Sequence, residues 1–183
     1  MASKLRVDHI EPVDGVPTGG GGGVIQVVSS TRTAVESNNT SAASFWETSL
    51  SATITPKSAT NKILMTGFAS VCVAGPQFNI GLALYKGGSI MTGAIGDASS
   101  NRARVHSSGD ANTDAGSGEQ TMVCLPINYM DTAGDTSQRT YSVAIRNPSS
   151  ITRWIHLNYS ITDTDNTYYL RQVSTLTLME ISA

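Results

Sequence analysis

Three histidines, two cysteines, a short acidic run and a basic loop are the residues whose chemistry could go beyond packing a fold. His9, His106 and His156 are scattered, and none stands in a zinc spacing or beside a cysteine pair. Cys72 and Cys124 are the only cysteines and lie 52 positions apart. The sequence leaves a disulfide open, but each falls within an expected strand, where a thiol acts as a small buried hydrophobe. Serine is abundant, yet no Gly-x-Ser-x-Gly elbow marks one as a nucleophile. Asp163-Thr164-Asp165-Asn166 resembles the start of a calcium loop but lacks the glycine and the distal glutamate that such a loop needs, so it reads as a solvated turn. The five glycines Gly19 to Gly23 are followed by Val24-Ile25-Gln26, not by the Gly-Lys-Ser/Thr of a phosphate loop. Arg102, Arg104 and His106 form the one basic cluster, a candidate surface contact for an anionic sugar or a protein surface. The expectation is therefore of no catalytic residue, no metal and no cofactor.

The elements that would position these residues are strands. Leu50, Ala52 and Ile54 alternate with Ser51, Thr53 and Thr55, and Pro56 stops the run. After the turn formers 56–61 a longer apolar stretch, Lys62 to Ala74, is small or apolar on both faces, as in a strand covered on two sides. The pair reads as a central hairpin. Phe78, Ile80, Leu82 and Leu84 alternate cleanly into Tyr85-Lys86-Gly87-Gly88, a tight-turn signal, with Ile90 and Met91 starting the return strand. Further strands are expected at Val24 to Ser30, Thr121 to Met130, around Tyr141 to Ile145, at Ile151 to Tyr159 and at Ser174 to Ile181. The Ser/Thr/Asn-rich span Ser29 to Ser44 reads as a connection. So does Gly96 to Gln120, where the apolar pattern disappears, with a short strand expected at Arg104-Val105-His106. No window carries a helical stripe. Eight to ten strands spaced by turns in a chain of 183 residues predict one all-β, jelly-roll-like sandwich, 24–183, whose apolar first and last strands pair near the centre of one sheet.

Residues 1–23 read as an extended N-terminal arm joined to the body by the glycine linker. Leu5, Val7, Ile10, Val13 and Val16 are its partner-binding candidates, able to add a strand to a neighbour's sheet. Charged residues make up 14% of the chain and the net charge is -2, which gives no field to draw in nucleic acid or an anionic membrane. Apolar rows on both faces of several strands ask for cover that a monomer lacks, and so predict a homotrimer. The start of the chain has no apolar signal region, which is read as synthesis in a cytoplasm.

Lys4-Leu5-Arg6-Val7-Asp8-His9-Ile10, Leu50-Ser51-Ala52-Thr53-Ile54-Thr55-Pro56 with Asn61-Lys62-Ile63-Leu64, Gly96-Asp97-Ala98, and Val173-Ser174-Thr175-Leu176-Thr177-Leu178-Met179-Glu180-Ile181 together resemble small β-rich virion proteins of tailed bacteriophages, notably those of cyanobacteria and marine bacteria. The resemblance implies a non-enzymatic particle component made in the bacterial host cytoplasm. It also implies a trimeric sandwich, either a cement protein decorating the head and contacting the major capsid protein or another virion protein, or a tail-fibre knob reading a host glycan. The absence of heptads and fibre repeats favours the first.

Overall fold

Alternation of apolar and polar residues converts directly into strands whose two faces meet different surroundings. The computed structural model describes residues 23–74, 79–110, 121–147 and 149–183. Its strands are β1 (Val24–Arg32), β2 (Glu36–Thr40), β3 (Phe45–Ile54), β4 (Lys62–Val73), β5 (Asn79–Lys86), β6 (Ser89–Ile90), β7 (Ser107–Asp110), β8 (Val123–Thr132), β9 (Arg139–Arg146), β10 (Arg153–Leu157) and β11 (Ser174–Ile181). A 3-10 turn, Thr92–Ala94, follows β6. Among the described residues no helix is long and apolar enough to cross a membrane. The candidate arm residues Leu5, Val7, Ile10, Val13 and Val16 lie outside the described residues, as do Phe78 and the second part of the long connection, 111–120.

Two antiparallel sheets form a β-sandwich. The first is built on β4, which pairs along one edge with β8 from Lys62 to Val71. Its other edge is shared: β11 takes Lys62 to Phe68 and β10 takes Val71 to Val73. Beyond these, β1 pairs with β11 and β2 with β10. The second sheet runs β3, β9, β5, with β6 and β7 sharing the far edge of β5. The facing rows, Ile63, Met65, Val71, Leu125, Ile127, Leu176 and Leu178 from one sheet and Leu50, Ile54, Leu82, Leu84, Tyr141, Val143 and Ile145 from the other, merge into one core. Burying each such side chain contributes about 1.5–3 kcal/mol against the entropy of ordering the chain.

The structure corrects five expectations. β3 and β4 are not a hairpin: β3 pairs with β9 and β4 with β8, β10 and β11, so residues 55–61 cross from one sheet to the other. Both strands carry a buried row, which suits facing layers as well as it suits neighbours in one layer. Secondly, 29–44 is not only a connection, because β1 runs on to Arg32 and Glu36–Thr40 forms an edge strand. That strand shows no alternation since its middle residues are exposed on both faces. Thirdly, the strand in the long connection is Ser107–Asp110, just after the expected one. Next, β1 does pair with β11, but at the sheet edge and not the centre, which leaves Val24 and Val27 exposed. Finally, the cysteines are both free, and only Cys72 is buried. By contrast Ser174 to Ile181 forms as read, and Gly87 and Gly88 supply the positive φ of the β5–β6 turn, 58° and 76°.

Candidate functional site

The basic cluster sits on a segment that folds back over the outer face of the second sheet. His106 donates its backbone N–H to the Leu82 carbonyl at 2.7 Å, and Val105 lies so close over β5 that a Cβ at Gly81 would be 2.6 Å from it. The His106 ring is committed at both nitrogens: Nδ1–H donates to the Ala94 carbonyl at 2.8 Å and Nε2 accepts the Asn128 N–H at 3.2 Å. That arrangement requires the neutral Nδ1-H tautomer and turns His106 into a strut from the segment to the 3-10 turn and to β8. Arg104 Nε donates to the Gly96 carbonyl at 2.6 Å, closing the segment on itself. Arg102 alone of the three extends an exposed side chain. The three therefore do different things and do not converge on one ligand.

A cleft of about 320 Å³ opens beside this strut, at the end of the sandwich. Lys86, Ser89, Thr92, Tyr129 and Asp131 supply its polar groups. Lys86 Nζ reaches Asp131 Oδ2 at 2.8 Å, and the buried Tyr141 donates its hydroxyl to the same oxygen at 2.8 Å. Burial, then the neighbouring Asp131 carboxylate, push the Tyr141 hydroxyl well above its usual range, so it stays protonated and fixes the carboxylate's rotamer. The Tyr129 hydroxyl lies close over Gly93, where a Cβ would stand 2.8 Å from it. An ammonium donor beside a carboxylate acceptor, with a phenol at hand, can bind a hydroxyl-bearing ligand. The nearby His106 already accepts the Asn128 N–H at Nε2, so that nitrogen is not free to take a proton from a hydroxyl in the cleft. Sequence reasoning missed this site because Lys86 reads as the end of a hairpin and Asp131 as the start of a loop.

The other cluster lies where β4 changes partner from β11 to β10. Ser174 Oγ accepts the Ser70 N–H at 2.9 Å and donates to Asn158 Oδ1 at 2.6 Å. Asn158, fully buried at φ 69°, donates its amide to the Arg32 and Ala34 carbonyls. These bonds tie four segments together and satisfy backbone groups that would otherwise be buried unpaired. His156 stands opposite Cys72 in the ladder but is no catalytic partner for it. Burial pushes the Cys72 thiol up to about 11, away from the reactive thiolate. Asp163 is held by Arg171 at 2.6 Å, and among the described residues no group of side chains is arranged to hold a metal ion.

His156 is 7% exposed, both ring nitrogens lack a hydrogen-bond partner, and the ring packs edge-on against Tyr159 at 4.7 Å between centroids. Burial lowers its pKa, with Asp163 opposing. The folded pKa lies below the unfolded value of 6.5, so the unfolded chain takes up the proton first. Its contribution is complete above pH 6.5 and declines as pH falls from there towards the folded pKa. His156→Phe is expected to flatten that part of the curve and to leave stability at pH 7.5 equal or higher, because two unpaired polar atoms are removed. Urea midpoints at pH 5.5 and 7.5 check this; an unchanged difference between the two pH values refutes it.

No protein-family model matches the chain, and no curated protein matches it.

Proposed function

We propose that this chain is a non-enzymatic structural protein of a tailed-phage particle, a cement protein that sits on the head exterior as a trimer of jelly-roll-like sandwiches and fastens itself with its N-terminal arm. The observation that carries the reading is the place of β1. Among the described residues the strand that follows the glycine run is the edge of its sheet, with β11 as its one strand neighbour and Val24 and Val27 exposed. On this reading the glycine run in the sequence would serve as a joint at that edge and residues 1–18 would contact a neighbouring protein, with the major capsid protein as the partner this reading names. Three weak arms on one trimer would act together through effective concentration. The low charge supports a partner found by shape rather than by a field, and gives no reason to invoke nucleic acid or membrane.

A second reading, a tail-fibre knob that binds a host glycan, is favoured by the Lys86–Asp131–Tyr129 cleft, whose donors and acceptor suit hydroxyl groups. Gold-labelled antibody against the chain, viewed on negatively stained particles, separates the two. Label over heads is expected, label at fibre tips supports the knob, and particles without label overturn both. Deleting residues 1–18 is expected to leave a folded body that no longer joins particles. Undiminished decoration by that truncated chain would sink the role of the arm.

A further inference from the structure

A smaller cavity, of about 170 Å³, lies under the segment that folds back over the second sheet, and Asn79, Gly81, Ala103, Val105, Ser108 and Arg146 line it. In register across β9, β5 and β7 stand Arg146, Gly81 and Ser108. They share the outer face, because Ile80, Leu82 and Ile145 beside them belong to the core and a Cβ at Gly109 would meet Val123. Gly81 brings no side chain between the other two, and Val105 walls the gap from above. Arg146 is half-buried there. Among the described residues its side chain makes one hydrogen bond, from Nη1 to the carbonyl of the adjoining Asn147 at 3.3 Å, and no ion pair. Glu47, on the same face of β3, accepts the Ser142 hydroxyl instead. Burial draws the Arg146 pKa below the ordinary arginine range.

We propose that Arg146 anchors a binding site for a carboxylate carried by a sugar, the chemistry of a uronic acid, with Asn79 and Ser108 serving the sugar's hydroxyl groups. The volume is below the roughly 300–1,000 Å³ of a pocket that encloses a drug-sized molecule, so one charged group enters with its immediate neighbours and the remainder stays outside. A guanidinium presents a planar fork of donors that matches a carboxylate through two parallel bonds. A partly buried cation without a counter-charge is balanced by an anion that brings one unit of charge. A dianion such as inorganic phosphate would carry an unmatched second charge, and would bring it towards Asp110, which stands opposite Asn79. The hydroxyl and the amide beside the fork are neutral and exposed, and pair with sugar hydroxyls as donor or acceptor. An acidic side chain of a protein would leave them to water. Arg104 and His106, expected at such a sugar, are spent on holding the segment in place, and the cation beneath it comes from β9. The site is separate from the Lys86 cleft and rests on neither address on the particle.

The test uses the full chain in solution, so its failure is distinct from a failure of particle labelling. The isotope-labelled protein is titrated with sodium glucuronate, glucose, acetate, sulfate and phosphate at equal ionic strength, and amide shifts are read by NMR. Glucuronate is expected to move the Gly81 and Ser108 amides along a saturable curve, more tightly than acetate, sulfate or phosphate, and glucose to leave them still. Arg146→Gln is expected to weaken glucuronate about ten-fold or more through loss of charge-assisted hydrogen bonds. Arg146→Lys should fall between, because a point charge replaces the fork. Arg102→Ala, exposed on the covering segment, is expected to change nothing. Should Arg146→Gln unfold, Ser108→Asp, at an exposed position, sets a carboxylate facing the guanidinium and is expected to give the same loss with an unchanged circular dichroism spectrum. No response to glucuronate, shifts confined to the Lys86 cleft, or a folded Arg146→Gln or Ser108→Asp variant that binds as the wild type does overturns the site. Glucose, acetate, sulfate or phosphate binding as tightly as glucuronate overturns the assignment to a sugar carboxylate.

Discussion

Gly67→Ala is expected to destabilise the protein by about 3 kcal/mol or more, because one methyl group would meet backbone that cannot step aside. Gly67 has φ 148°, and a Cβ built on it lies 2.1 Å from the Thr175 carbonyl oxygen of β11. The clash is with a paired strand and not with the end of a flexible side chain, so no rotamer change relieves it. Gly67 also stands just before β4 leaves β11 and takes up β10. For a domain of this size the loss corresponds to a fall in thermal midpoint of about 6–12 °C. Gly96→Ala is the control: its Cβ would meet nothing within 4 Å, and it should hardly move the midpoint. Equal midpoints for the two variants would refute the argument.

The second large effect is expected at Glu180. This carboxylate is fully buried and accepts hydrogen bonds from Gln26 Nε2, from the Lys57 N–H at 2.7 Å and from Asn61 Nδ2 at 2.6 Å. Two of those donors belong to the 55–61 crossover, so one side chain on β11 holds the segment that carries the chain between sheets. Glu180→Ala takes the acceptor from the Lys57 N–H and from the buried Asn61 amide, leaves Gln26 Nε2 only the Thr55 carbonyl, and is expected to cost about 3 kcal/mol. Glu180→Gln should cost less, because one oxygen can still serve Lys57 and Asn61. The pH dependence follows from the same bonds. Burial raises the carboxyl pKa, the hydrogen bonds to Asn61, Gln26 and Lys57 lower it, and the net folded value lies below the ordinary 4.5. The stabilisation is therefore present above pH 4.5 and is lost as pH falls through that value towards the folded pKa. Urea unfolding at pH 7 and pH 3.5 should show a smaller acid loss in Glu180→Gln than in the wild type; an equal loss in both would refute it.

Glu180 also marks the limit of what the sequence made legible. The alternation of Ser174 to Ile181 locates β11 to the residue, because a strand with one buried row imposes period two on its composition. The same alternation puts Glu180 in phase with Leu176 and Leu178, on the buried side. A charge in that phase is the signal that could have found the carboxylate and its partners. Which strands become neighbours was not legible. The buried rows of β3 and β4 say that each faces a core and leave open whether they lie side by side or in opposite layers. β2 escaped for a different reason, since a polar edge strand takes its order from the backbone of β10 and leaves no apolar mark. The Lys86–Asp131–Tyr141 contact brings Lys86 to a carboxylate 45 positions away in the other sheet, and nothing local records it.

The pairing of β1 with β11 has a mechanical consequence. Val24 stands opposite Ile181 and Arg32 opposite Ser174, and Ser182 donates to the Gly23 carbonyl at 2.9 Å. Whatever precedes Gly23 and whatever follows Ala183 therefore leave the body at one corner. Tension between those two points would open the β1–β11 ladder like a zip, one pair at a time, at low force. Tension between Gly23 and the opposite end of the sandwich would load the same pairs together in shear. A body pulled at Gly23 against its far end is loaded in the second way, whereas one pulled between Gly23 and a domain fused after Ala183 is loaded in the first.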